Sequence, residues 1–429
     1  MKFKIGLLIV CFGLSSCGGN NQNSQSFSLL EDADLSDISA YVTNSPYSEA
    51  LAECTNISSK DDSCTLATLS IMGQETETAT LDDVKNRLVV SHQWMAERFL
   101  QALAYLPSEA LQLFKPVTAV VIDNDIRTSF YLRDSGAIYI NPQYLWLTNE
   151  EKQTITPKED FRSGYGDELS ILFFSRDVIN GAYAYRYYSL DDDKERTLSE
   201  IIFPLNTTVI HELAHANDFI PVNKIPSLNP AHTISKAIET IEENWISNIL
   251  YSDMPLLSSE LTDLAEVRYR GATATPTQIS MTADYAGALF HNDGANHLYN
   301  YSSRREDLAD LIQAILVKRY FNIEMDIAFI DKPDNSQSTS CADYIVGWGE
   351  RNRIANPLVI NRAQLAAENI LPNIDWETFF QQDVGQYTAM IPGNSWCDNL
   401  ALTRTTTLRS ITDSASPKTI NPSDFIKPH

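Results

Sequence analysis

Positive charge is what this chain of 429 residues has least of: 32 Lys and Arg stand against 56 Asp and Glu, for a formal net charge of −24. Such a surface repels phosphate backbones, so nucleic acid is not an expected partner. Acidity at this level mainly serves solubility and gives only a mild bias towards basic peptides. There are 6 Cys but no C-x-x-C pair, which removes the usual spacing of a cysteine-ligated zinc. No internal repeat is present, so a solenoid or propeller is not expected. The aromatic residues form no stripe of the kind that reads sugars. Ile5 to Leu14 is apolar, but at about ten residues it is too short to span a bilayer.

That short run follows Met1-Lys-Phe-Lys4 and leads into Leu14-Ser-Ser-Cys17-Gly18, which reads as a secretion signal over 1–16. Leu14 to Cys17 resembles the lipobox of bacterial lipoproteins. The resemblance implies cleavage before Cys17, lipidation of its thiol and, with Gly18 next, sorting to the outer membrane. The mature chain would then touch membrane only through its lipid anchor. Residues 17–35 begin rich in Gly, Asn, Gln and Ser and read as a flexible tether. Once Cys11 leaves with the signal and Cys17 carries lipid, Cys54, Cys64, Cys341 and Cys397 remain, enough for two disulfides in an oxidising compartment. Three pairings are possible, and proximity favours Cys54 with Cys64 and Cys341 with Cys397.

The mature chain, 43% apolar over the whole sequence, is long enough for two lobes, read as 36–220 and 221–402, with a possibly disordered tail at 403–429. Apolar spacing predicts a long helix over Leu81 to Tyr105 and further helices over Thr233 to Tyr251, Ser303 to Phe321, 361–371 and 375–382. Val117 to Ile122, Ser129 to Leu132 and Ala137 to Ile140 read as strands. Thr148-Asn-Glu-Glu151 reads as a capping box, and Asp191 to Arg196 as a solvated charged turn. The fold class expected is α+β and mostly helical.

Chemistry concentrates in Asn206-Thr-Thr-Val-Ile-His211-Glu212-Leu-Ala-His215-Ala-Asn-Asp218. On a helix entered near Pro204 and ending before Pro221, His211 and His215 lie one turn apart on one face and can reach a single metal ion. Glu212, one step round, is placed to take a proton from a water rather than to ligate. The small and apolar residues around them (Val209, Ile210, Leu213, Ala214, Ala216) indicate a helix buried on one side, where two imidazoles and a carboxylate need a partner. This H-E-x-x-H pattern resembles the zincin metallopeptidases.

That resemblance implies zinc, a peptide or protein substrate, and a small twisted sheet ahead of the helix whose edge strand binds the substrate backbone. Ala137 to Ile140 is the candidate edge, with an ordinary core strand as the equal alternative. A third ligand is required. Glu306 is the best placed, and Asp310 shares its helical face and would orient a ligating His, an arrangement similar to the gluzincin branch. The distance in sequence from His215 exceeds that of compact gluzincins and implies an inserted lobe between 220 and 300. Ser303-x-x-Glu306 is equally a capping box. Asp284, in a segment that faintly resembles the aspzincin motif, and His291 and His297 are rivals for the third position, and any of them as a fourth ligand would favour a structural metal. Asp218 is expected to orient a neighbour, and Tyr285, Tyr299 and Tyr301 are candidate oxyanion donors. The expected function is therefore zinc-dependent peptide hydrolysis in the cell envelope. A zinc hydrolase of non-peptide amides or esters, and a non-catalytic protein with a structural metal, are the alternatives.

Overall fold

In the computed structural model the residues described are 30, 32–158, 162–333 and 341–404. The signal, Cys17 and most of the tether lie outside them, as does the tail from 405 onward. Leu30 and Leu35 are already buried in a core cluster. The fold is mixed α and β. Numbering strands, and helices of eight residues or more, the chain runs β1 (Ser39–Ala40), α1 (Ser48–Thr55), β2 (Leu88–Val90), α2 (Gln93–Leu103), β3 (Val120–Ile122), β4 (Phe130–Leu132) and β5 (Ala137–Ile140). It continues with β6 (Ile171–Ile179), β7 (Ala182–Tyr183), α3 (Leu198–Phe219), α4 (Ile246–Asp253), α5 (Ser259–Arg270) and α6 (Ala283–His291). The last elements are α7 (Arg304–Phe321), β8 (Glu324–Asp331), β9 (Val346–Arg351), α8 (Ile360–Ile370) and β10 (Thr388–Ala389).

The first sheet has the order β1-β2-β3-β5-β4. Its centre is parallel and its two outer strands are antiparallel to their neighbours. Both faces are covered, which is why β2, β3 and β5 read as unbroken apolar runs. Successive side chains alternate between two cores. Leu88, Val90, Val120, Ile122, Ile138 and Ile140 join the main core that includes α3. Val89, Val121, Ala137 and Tyr139 join the cluster under α1. This order corrects the expected edge: Ala137–Ile140 is an interior strand, and the free edge belongs to β4, one strand further out.

The second sheet, order β10-β9-β8-β6-β7, is antiparallel throughout and takes β6 and β7 from before α3 and the rest from after α7. The region after 221 is therefore not helical alone. One face of this sheet, with Ile327 and Phe329, packs on α5 and α6; the other carries Ala328, Ile330 and Val346. α6 lies so close that a Cβ on Gly287 would meet the Trp348 Cβ at 2.1 Å.

The expected helix over 81–105 is instead a turn at Leu81–Lys85, then β2, then α2. The 233–251 helix is broken at Glu242–Asn244. The helices expected from 303 and from 361 appear as α7 and α8, and the Thr148 capping box forms. Disulfides join Cys54 to Cys64 and Cys341 to Cys397. Among the described residues no helix is long and apolar enough to cross a membrane.

Candidate metal centre

α3 passes through the main core, packed against α7, α2 and the β4–β5 side of the first sheet. It starts six residues before Pro204, because Thr197 and Glu200 form a reciprocal capping box, and it carries Pro204 inside. Two fully buried amides fasten it: Asn206 Nδ2 donates to the Ala102 carbonyl (3.0 Å) and Asn217 Nδ2 to the Leu113 carbonyl (2.8 Å). With the helix fixed, the rings of His211 and His215 stand 4.9 Å apart at 81°.

Glu306 comes to them from the first turn of α7. Ser303 Oγ accepts the Glu306 N–H at 3.2 Å, so the serine half of the expected capping box is real. The Glu306 carboxylate turns to the imidazoles instead, with Oε2 3.1 Å from His211 Nε2 and 3.4 Å from His215 Nε2. Ligand atoms of His211, His215 and Glu306 all lie within 4.8 Å of one another, and no other such cluster of His, Cys, Asp and Glu exists among the described residues. Burial would raise the Glu306 pKa, but the charges and hydrogen bonds of the two imidazoles override it and hold the carboxyl well below its usual range. Burial likewise disfavours a charged His211, yet Glu306, Glu212 and Asp310 carry it up to about 10. The three side chains thus form a buried cluster that could hold a metal ion.

Glu212 is itself buried, and that burial pushes its carboxyl above the usual range while both imidazoles and a main-chain contact from Tyr131 oppose the rise. Tyr131 sits on β4, so the unpaired edge of that strand faces the Glu212 carboxylate, beside His211 and His215. Behind His211, Nδ1–H donates to Gln313 Oε1 at 2.8 Å, which leaves Nε2 for an ion. Asp310 Oδ1 is farther from that nitrogen, 3.6 Å, and its Oδ2 is 3.4 Å from His297 Nδ1. The orienting role expected of Asp310 therefore falls first to Gln313, which sequence reasoning missed. Its only signal is position: 306, 310 and 313 share one face of α7.

Asp218 accepts the Ser247 N–H at 2.7 Å and lies 3.6 Å from Arg305, tying the end of α3 to α4 and to the first turn of α7. Asp284 and His291 are exposed on α6 and take no part in the cluster, since α6 packs on the far sheet. His297 reaches only the second layer, through Asp310. Of the three tyrosines, Tyr285 bonds Glu260 and Tyr301 bonds Asp293. Tyr299 alone lies at the site, its ring stacked with His211 at 6.5 Å. Burial and the Glu306 carboxylate raise its hydroxyl well above 10, which keeps it a proton donor.

Three protein donors, with no fourth grouped with them among the described residues, suit an ion with an open position. Compared with known proteins, the chain matches no family model, no curated protein and no solved structure.

Proposed function

We propose that this chain is a zinc-dependent metallopeptidase of zincin-like, gluzincin-type architecture, acting in the cell envelope from a lipid anchor at Cys17. The observation that carries the reading is the meeting of His211 and His215 on α3 with Glu306 on α7, beside a buried carboxylate that is not a ligand. The donor set, two imidazole nitrogens and one carboxylate oxygen, fits zinc. When bound there, zinc supplies a Lewis acid that brings the pKa of water towards neutrality and polarises a carbonyl.

The chain's own groups do the rest. Glu212, its pKa raised by burial, takes the proton of the attacking water and delivers it to the leaving amine nitrogen. The Tyr299 hydroxyl donates to the carbonyl oxygen as negative charge develops there. Gln313 and Asp310 hold the His211 ring. A substrate backbone adds to the free edge of β4, next to Glu212.

Zinc content and cleavage of a mixed peptide library, measured for the wild type beside Glu212→Gln, test this. The expected result is about one zinc per chain in both proteins and cleavage by the wild type alone. Zinc in both with no cleavage by either would move the structural-metal reading or a non-peptide substrate ahead, and absence of zinc from both would end the proposal.

A further inference from the structure

Asp310 and Gln313, the two residues behind His211, also form the inner wall of a cavity of about 270 Å³ between α7, the second sheet and the segment around His297. A cavity of roughly 150 Å³ admits a benzene-sized group, and pockets for drug-sized ligands run from roughly 300 Å³ upward. The volume therefore matches one amino-acid side chain. Ala314, Val317 and Ile323 give it an aliphatic flank, and Asp177 on β6 gives it a carboxylate.

The charges round this cavity do not balance. Arg353 in its wall is committed to Glu350 and to the carbonyls of Phe290, Asp293 and Ala295. Arg176, which also lines the cavity, is committed to Asp326 at 2.7 Å and to the Trp396 ring. Glu324 is neutralised by Lys318 at 2.7 Å. The charged groups that act on Asp177 are His297 and Asp326, the latter already paired with Arg176 and Arg351. Asp310 Oδ2 is buried and makes no hydrogen bond, its nearest partner being the His297 Nδ1 at 3.4 Å. Among the described residues, neither Asp177 nor Asp310 is paired with a Lys or Arg. An aliphatic wall leading to two carboxylates that share one imidazole, His297, and meet no Lys or Arg is the complement of a side chain with a methylene stem and a cationic head.

We propose that this cavity is a subsite for a lysine or arginine side chain of the substrate, with Asp177 as the selecting charge. The proposal rests on the peptidase reading and deepens it: the cavity shares Asp310 and Gln313 with the support of His211.

Two measurements test it. With the zinc-loaded wild type, peptides carrying Lys or Arg at one of the positions flanking the scissile bond, each scanned in turn, should be cleaved with a kcat/KM about tenfold above matched norleucine peptides, and Asp177→Asn should erase that ratio. Independently of catalysis, n-butylguanidinium titrated into the zinc-free protein and followed by NMR should bind the wild type about tenfold more tightly than Asp177→Asn. Cleavage without a basic preference, or a preference that survives Asp177→Asn, overturns the subsite while leaving the peptidase reading in place. If no peptide is cleaved, the peptidase reading fails, and the butylguanidinium titration decides the cavity: equal binding to both proteins, or none, overturns it.

Discussion

Glu306 serves two structures at once, giving its N–H to the Ser303 cap and its carboxylate to the two imidazoles. Glu306→Gln separates these duties: the cap survives and the ionised ligand is lost. Far-UV circular dichroism should then stay native, while competition with a chromophoric chelator shows zinc affinity down at least tenfold. Gln313→Leu removes the acceptor behind His211 and should cost about 10- to 100-fold in the same assay, as losses behind a ligand do. Asp177 makes a pH prediction. Burial raises its carboxyl from 3.8 to about 7 in the folded chain, with His297 opposing and Asp326 reinforcing. Between those values the native state binds more protons than the unfolded one, so stability falls as pH rises through the window, by up to about 1.4 kcal/mol per unit. Urea melts of Asp177→Asn should show its advantage over the wild type growing from pH 4 to pH 7 and then levelling. That His211 and His215 would meet was legible in the sequence because their spacing dictates a shared helical face, and Glu306 was legible as the residue opening the helix that reaches them. Asp177 carried no such mark, since it reaches the site only through the pairing of β6 with β8.

α3 depends on the elements that hold its ends. Asp218, fully buried, receives the Ser247 N–H and faces Arg305, which also donates to Ser247 Oγ. Asp218→Ala leaves a buried guanidinium short of its counter-charge, and chemical denaturation should register a loss of about 3 kcal/mol. The same junction sets the stance of α7, so zinc affinity should fall with it. At this scale the sequence misled in physically clear ways. Pro204 suggested a helix start, but Thr197 and Glu200 supply the stronger signal and the helix carries the proline inside. Leu88 and Val89 fitted a helical period that began at Val84, although Leu88-Val-Val90 is equally a short strand buried on both faces. Ile327-Ala-Phe-Ile330 is a short unbroken apolar run whose side chains divide between two cores, a pattern of a strand buried on both faces that went unread.

Over the whole molecule, two covalent links restrain the chain at opposite ends. Cys54–Cys64 closes a separation of 10 residues and Cys341–Cys397 one of 56. Loop-closure entropy assigns them about 3 and about 4 kcal/mol. Replacing each pair with Ser should therefore lower the denaturation midpoint in that order, the second more than the first. The two-sheet plan was only half legible, because the second sheet draws its strands from both sides of α3 and no local pattern announces such long-range pairing. One more link is implied by geometry already described. His211 and Glu306 stand 95 positions apart in the chain, and α4, α5 and α6 lie wholly between them. An ion held by both would act as a removable rivet, closing a loop longer than either disulfide. Withdrawing it with a chelator would restore the freedom of that whole stretch, so the supply of metal would govern how readily the segment between the riveted helices opens to proteolysis.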